Sequence, residues 1–193
     1  MPYPYFDGYD KYILHQSSNL YFDEVSKKYR GSFSISGQYQ KELGYGTGVE
    51  FEFQPVPFFG IFLEQTVLKK NSESVTNLKA GGKLALLQYT KFSLYGDIGW
   101  GNISGDTSLS VGNGLLLAAL IRSYPFRPFS LEWKNTFCFN PQKECWESYF
   151  GLGVFLNRTE FFSTYKYLRT INSKTDDLLK KSHGISSGIR VHF

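Results

Sequence analysis

Hydrophobic and polar residues alternate along most of the chain. In the segment 31–43, Phe33, Ile35, Tyr39 and Leu43 stand at odd positions on one face, and mainly serine and glutamine fill the even positions between them. A period of two is typical of a β-strand with one apolar and one polar face. The last eleven residues, HGISSGIRVHF, alternate in the same way and end on Phe193. The pattern therefore predicts strands from the first of these segments to the carboxy terminus.

The alternation recurs in about ten segments that are separated by turn-forming residues. Counted back from the terminus, every second connection is short (PVP, YTK, YPFRP, NR), and the intervening ones are mostly longer and polar (KNSES, GDTSL, PQKE, INSKTDD). The sequence therefore predicts an all-β, up-and-down antiparallel barrel of about ten strands, with eight strands as the alternative. Short turns are expected at one rim and longer loops at the other.

Composition supports the β class and excludes two others. The 193 residues include 18 Phe, 14 Tyr, 3 Trp and 19 Gly, which suit strands and tight turns. The longest apolar run, 115–121, is far shorter than the roughly 20 residues of a membrane-spanning helix. The net charge is +4, and the basic residues are scattered along the chain without the stripe that binding to nucleic acid requires. We therefore expect no spanning helix and no nucleic-acid partner.

The polar faces of the predicted strands carry six acidic and six basic residues: Glu50, Glu52, Glu64, Lys79, Lys83, Asp97, Arg122, Glu132, Lys134, Glu160, Lys166 and Arg190. Enclosed charges must be paired or hydrated, and a balanced set suits a narrow barrel filled by ion pairs. The apolar faces would then contact lipid. The alternative is a soluble barrel of lipocalin type, with the apolar face inside and a hydrated outer surface rich in lysine and glutamate.

The alternating last strand that closes on Phe193 resembles the carboxy-terminal assembly signal of bacterial outer-membrane β-barrels. Across residues 31–193 the chain resembles the small OmpA-like or OmpX-like proteins of this kind. The resemblance implies a transmembrane barrel in the outer membrane of a Gram-negative-type bacterium, contact of the last strand with the barrel-assembly machinery, and a periplasmic position for Phe193. Residues 1–30 are expected to form a periplasmic arm or plug. No export signal opens the sequence, so we expect that the mature chain has lost one.

Motifs for catalysis, cofactors and metals are absent from the sequence, which lacks G-x-S-x-G, H-E-x-x-H, paired C-x-x-C and Gly-rich phosphate loops. His183 and Ser187 share the lipid-facing side of the last strand, as in lipid A deacylases. They lie about 13 Å apart at roughly 3.3 Å per residue, too far for a nucleophile and its base. We expect a non-enzymatic barrel with a structural or interaction role and no cofactor. A small selective pore and a lipid A-modifying enzyme are the alternatives.

Small and polar residues interrupt the lipid-facing side of the predicted strands, where they favour contacts between membrane proteins. The predicted protomer contact of a homo-oligomer consists of Gly37, Gly82, Asn135, Ser163 and Ser187. Lys41 and Gln65 interrupt the same face. For these two residues, the alternative to a protomer contact is a position near the outer rim, where long polar side chains can reach water.

Two further features concern the predicted external loops. Five lysines are expected to contact lipopolysaccharide phosphates: Lys69, Lys70, Lys143, Lys180 and Lys181. Cys138 and Cys145 flank a predicted loop between paired strands. A disulfide between them would fit an oxidising compartment, and two free thiols are the alternative.

Overall fold

The computed structural model describes residues 30–56, 58–71, 73–89, 92–105, 112–126, 128–141, 143–172 and 178–193. The predicted amino-terminal arm lies outside these residues, except for Arg30, which begins the first strand. The strands are β1 (Arg30–Gln40), β2 (Gly44–Val56), β3 (Phe59–Lys70), β4 (Glu73–Tyr89), β5 (Phe92–Gly105), β6 (Gly112–Ser123), β7 (Phe129–Phe139), β8 (Lys143–Leu156), β9 (Thr159–Asn172) and β10 (Leu178–His192).

The ten strands form one closed antiparallel sheet in which each strand pairs with its neighbours in sequence, and β1 pairs with β10. The predicted all-β, up-and-down barrel of ten strands is confirmed, and the alternative of eight strands is wrong. Phe193 also takes part in closing the barrel, because Gly31 and Phe193 exchange two backbone hydrogen bonds of 2.8 and 2.9 Å. Within the described residues, no helix is long and apolar enough to cross a membrane.

The strands are steeply tilted. A row of directly paired residues that starts at Phe129, at one end of β7, passes through Ile189 on β10 and Ile35 on β1. It then reaches Asn113 at the opposite end of β6. Closing a sheet into a barrel requires such a stagger between strands. As a result, inward side chains that are far apart in sequence lie at the same level inside the barrel.

The two faces of the strands differ as the alternation predicts. Ile35, Leu152 and Ile185 point outward and are 54%, 56% and 57% exposed, whereas Ser34 and Arg190 point inward and are buried. A soluble barrel would have its apolar residues inside. The outer wall of this barrel is apolar, and its interior is polar and charged.

Leu43 is an exception to the predicted outward face. It was expected on the same face as Tyr39, but it is only 3% exposed and packs at the mouth of the barrel. The reason is that the chain leaves the ladder after Gln40 and turns at 41–43, so the alternation of β1 no longer fixes the direction of the side chain.

The lengths of the connections at the two rims differ less than the sequence predicts. The carboxy-terminal rim holds Phe193 and the strand ends that are joined by 57–58, 90–91, 124–128 and 157–158. The far rim holds the strand ends that are joined by 41–43, 71–72, 106–111, 140–142 and 173–177. The loop predicted over KNSES is shorter in the structure than the sequence suggests. Lys70 pairs with Glu73, and Asn71 adopts a positive φ of 55°, so that only two residues leave the ladder.

Candidate functional site

The charged interior of the barrel is the candidate functional site. Ten of the twelve predicted interior charges are buried, and the other two, Glu50 and Lys166, are half-buried. All of them lie on the inward positions of their strands.

Arg190 on β10 joins three strands. Its guanidinium lies 3.1 Å from a carboxylate oxygen of Glu50 on β2, 3.1 Å from Glu132 on β7 and 3.2 Å from Glu160 on β9. Its Nη1 donates hydrogen bonds to Glu132 and Glu160, and its Nη2 donates one to Glu50. The fork of donors in arginine suits such multiple contacts with carboxylates.

Arg122 on β6 extends this group across the barrel. It lies 2.6 Å from Glu132 and 2.7 Å from Glu52, and Lys83 forms an ion pair with the same Glu52. The Tyr149 hydroxyl donates a hydrogen bond of 2.7 Å to Glu132. Two arginines and a tyrosine therefore contact the Glu132 carboxylate.

A second group lies closer to the far rim. Glu64 on β3 contacts Lys79 at 3.2 Å and Lys134 at 3.3 Å, and Lys79 also forms an ion pair with Glu147 on β8. Lys134 is among the most deeply buried side chains, although it carries a charge. These contacts connect strands on different sides of the barrel, so they cross the lumen.

Two of the predicted interior charges form no ion pair with the described residues. Asp97 is 3% exposed, and both of its carboxylate oxygens lack a hydrogen-bond partner among the described residues, although the register places Asp97 opposite Lys83. The Lys166 Nζ lies 6.0 Å from the centre of the Tyr149 ring. The cross-strand register therefore does not by itself predict the ion pair that an interior charge forms.

Three interior groups are missing from the prediction. Glu147 was not assigned to the interior, Arg30 was assigned to the amino-terminal arm, and His192 was not considered as a partner. Arg30 donates hydrogen bonds of 2.5 Å to Gln54 and 2.6 Å to Gln88, and the His192 ring lies 3.0 Å from Glu160. The alternation of β10 could have found His192, because it shares the inward side with Arg190.

Apolar and aromatic side chains cover the charged groups at both ends. At the far rim a buried layer is formed by Leu43, Leu68, Val75, Ile103, Cys138, Cys145 and Leu168. At the carboxy-terminal rim, the Phe155 ring lies 6.0 Å from the Tyr124 ring and 5.2 Å from the His192 ring. The ion pairs are thus enclosed between two layers of packed side chains.

A small cavity remains beside Arg190. Ser34, Ser36, Lys166 and Ser186 are among the residues that line it. The space open to the centre of a water molecule is about 30 Å³. The cavity therefore has room for water molecules beside these polar side chains.

The two cysteines lie directly opposite each other in the β7–β8 register. Both are buried free thiols in the structure, so the disulfide considered from the sequence is not formed here. The Cys138 thiol donates a weak hydrogen bond of 3.8 Å to the carbonyl oxygen of Gly101 on β5. Formation of the disulfide stays a prediction.

The outer wall separates the residues of the predicted protomer contact. Gly37, Ser187 and Ser163 are neighbours on β1, β10 and β9, and the two serine hydroxyls are hydrogen-bonded at 2.9 Å. Gly82 lies on β4 and Asn135 on β7, away from this group. The structure therefore brings together three of the five residues.

His183 and Ser187 do not meet on the outer wall. The His183 ring lies 6.4 Å from the Tyr165 ring, and the Ser187 hydroxyl is hydrogen-bonded to the Ser163 hydroxyl. Among the described residues, no group of three or more histidine, cysteine, aspartate or glutamate side chains is placed to hold a metal ion. His183 and Ser187 therefore do not form a nucleophile with its base.

An antiparallel ring of strands with an apolar outer wall and a charged interior defines the class of transmembrane β-barrels. No protein-family model and no curated protein sequence matches the chain.

The chain is similar to solved barrel structures. The KdgM porin has 11% identity and a TM-score of 0.45 over 84% of this chain and 99% of that chain. The anion-selective porin from Comamonas acidovorans has 11% identity and a TM-score of 0.41 over 78% of this chain and 50% of that chain. Neisserial surface protein A has 10% identity and a TM-score of 0.37 over 86% and 98%. Similarity at this level does not confirm the OmpA-like or OmpX-like subfamily.

Proposed function

We propose that the chain is a non-enzymatic outer-membrane β-barrel with a structural or interaction role in the cell envelope. The observation that carries this proposal is the filled interior, in which buried ion pairs connect strands across the lumen. Barrels of about eight strands have interiors that side chains can fill, whereas open aqueous channels occur in barrels of about 16 to 18 strands. A filled barrel supports neither transport nor catalysis inside it.

The path through the lumen is blocked at several levels. The contacts of Arg190 with Glu132 and of Lys79 with Glu147 bridge strands that are not neighbours in the sheet. Opening a passage would require separating these groups, and breaking a buried ion pair costs about 3–5 kcal/mol. The apolar layer at the far rim adds a further barrier, since its hydrocarbon side chains cannot replace the hydration of an ion.

Conductance tests this proposal against the alternative of a small selective pore. The full chain, inserted into a planar lipid bilayer in 1 M KCl, is expected to give no current steps above the bare bilayer. Insertion should be verified in the same preparation by resistance to added protease. Well-defined single-channel steps that depend on the protein would overturn the proposal in favour of the pore.

The proposed partners follow from the outer surface and the last strand. The edge of β10 is a suitable contact for the barrel-assembly machinery, because it pairs with β1 only after the barrel closes. Gly37, Ser163 and Ser187 form the part of the outer wall that we propose for contact with a second copy. Gly37 supports this role, since a β-carbon at this position would meet nothing within 4 Å.

A further inference from the structure

The outer wall at the far rim carries a group of basic side chains on neighbouring strands. Arg169 on β9 lies directly opposite Lys181 on β10, and His183, two residues from Lys181 on the same face, is opposite Tyr167. Lys41 extends the group to the β1–β2 turn, where its backbone nitrogen donates a hydrogen bond of 2.9 Å to the His183 carbonyl oxygen. We call Lys41, Arg169, Lys181 and His183 the basic patch.

The basic patch is not neutralised within the described chain. Like charges directly opposite on one sheet face are destabilising. Nevertheless, no ion pair joins Arg169 or Lys181 to another described residue, and the Arg169 Nε has no hydrogen-bond partner there. The nearby carboxylates of Glu42 and Glu144 form no ion pair with the patch either. An external anion would remove this repulsion.

The charge is concentrated on one side of the rim. On β5 and β6 the outward positions at the same rim are neutral, and the Asn102 amide donates a hydrogen bond of 2.6 Å to Asn113. Ser74 and Ser104 continue this neutral arc on β4 and β5. On β3, Lys69 and Lys70 are both exposed, and the Lys70 Nζ donates a hydrogen bond of 3.4 Å to the carbonyl oxygen of Lys41 in the patch. A general attraction to an anionic surface would not require a neutral arc on the opposite side of the rim.

Aromatic rings fix the level of the patch relative to the membrane. The Trp146 ring lies 5.9 Å from the Tyr167 ring, and Trp146 is paired directly with Arg169. Towards the other rim the wall continues with the exposed Ile185. Aromatic side chains gather at the membrane–water interface, so the cations next to them lie at the level of the lipid headgroups.

We propose that the basic patch binds a phosphate group on the headgroup of an outer-leaflet lipid. Guanidinium and ammonium groups form charge-assisted hydrogen bonds with phosphate oxygens, and Arg169 supplies a planar fork of donors. The position on the outer wall, between aromatic rings and the rim, favours a phosphate that is anchored in the membrane over one in solution. This inference rests on the proposed outer-membrane location and deepens the predicted contact with lipopolysaccharide. Of the five lysines predicted for that contact, which lie on β3, β8 and β10, it keeps Lys181 and leaves out Lys69, Lys70, Lys143 and Lys180.

Binding of lipid A to the folded full chain tests the proposal. In neutral phosphatidylcholine nanodiscs, lipid A with both phosphates is expected to bind the wild-type chain. The double variant Arg169→Gln/Lys181→Gln should weaken this binding at least tenfold, because hydrogen bonds between charged groups are lost. Lys69→Gln, which removes one exposed charge at the same rim, should leave it unchanged within about twofold. Native mass spectrometry measures the bound lipid.

Two measurements on the wild-type chain do not depend on the variants. Lipid A stripped of its phosphates should bind at least tenfold more weakly than the phosphorylated lipid, and inorganic phosphate at equal concentration should not displace the lipid. Equal binding of the stripped lipid, displacement by inorganic phosphate, or an unchanged double variant would each overturn the proposal. If the barrel inserts and stays non-conducting in these cases, the proposed function stands and only the phosphate site fails.

Discussion

Replacing Arg190 with methionine is expected to destabilise the barrel by about 3–5 kcal/mol, the cost of leaving buried charges without their partner. Arg190 is the only described residue that contacts Glu50, Glu132 and Glu160 together. Methionine fills a similar volume but donates no hydrogen bond, so the carboxylates would lose their common counter-charge. Urea unfolding of the chain in lipid vesicles, followed by far-ultraviolet circular dichroism, measures the free energy of unfolding.

Two further variants separate the charge network from a general effect of substitution. Lys69→Met removes an exposed cation on the outer wall and should change the free energy of unfolding by no more than about 0.5 kcal/mol. Arg190→Lys keeps the charge but loses the fork of donors, and an intermediate loss is expected. If Arg190→Met is as stable as the wild-type chain, the ion pairs do not hold the barrel interior together.

Introducing a charge on the outer wall should be costly only in the middle of the barrel. Ile35 is 54% exposed, lies in the middle of β1 and pairs with Val49 and Ile189. Ile35→Arg is expected to destabilise the chain in lipid vesicles by about 2–4 kcal/mol, which is the cost of a basic side chain near the bilayer midplane. The physical reason is that the guanidinium loses its hydration when the residue faces lipid.

The matched control is Tyr45→Arg. Tyr45 is 73% exposed on the same wall, but it lies at the far-rim end of β2, where the expected cost is about 0–1 kcal/mol. Both free energies come from urea unfolding in vesicles of one lipid. Equal effects at the two positions, or a stabilising Ile35→Arg, would show that the wall faces water.

The orientation of the two faces could be predicted from the sequence, because it depends only on the period of two along each strand. Ile35 and Ser34 point to opposite sides regardless of how the strands pair. The pairing of interior charges could not be predicted in this way. Lys79 and Glu147 are 68 residues apart, and they meet because the tilt of the strands brings β4 and β8 to one level across the lumen.

Weak local patterns explain the interior residues that the prediction missed. β8 continues after Tyr149 with Gly151 and Gly153 on its inward side, and glycine gives no signal of polarity, so Glu147 was not assigned. Arg30 directly follows a segment without alternation and was therefore separated from β1. The loop between Lys70 and Glu73 was predicted to be too long, because its polar residues continue the ladder instead of leaving it.

Whether the apolar outer wall faces lipid can be measured most directly at Trp133. This residue lies on β7, is 47% exposed and pairs with Ile121 and Phe150. Trp100→Phe/Trp146→Phe leaves it as the only one of the 3 tryptophans. In vesicles of lipids brominated along the acyl chains, we expect strong quenching of Trp133 fluorescence and little quenching by aqueous iodide. Quenching by iodide without quenching by the brominated lipids would contradict the account.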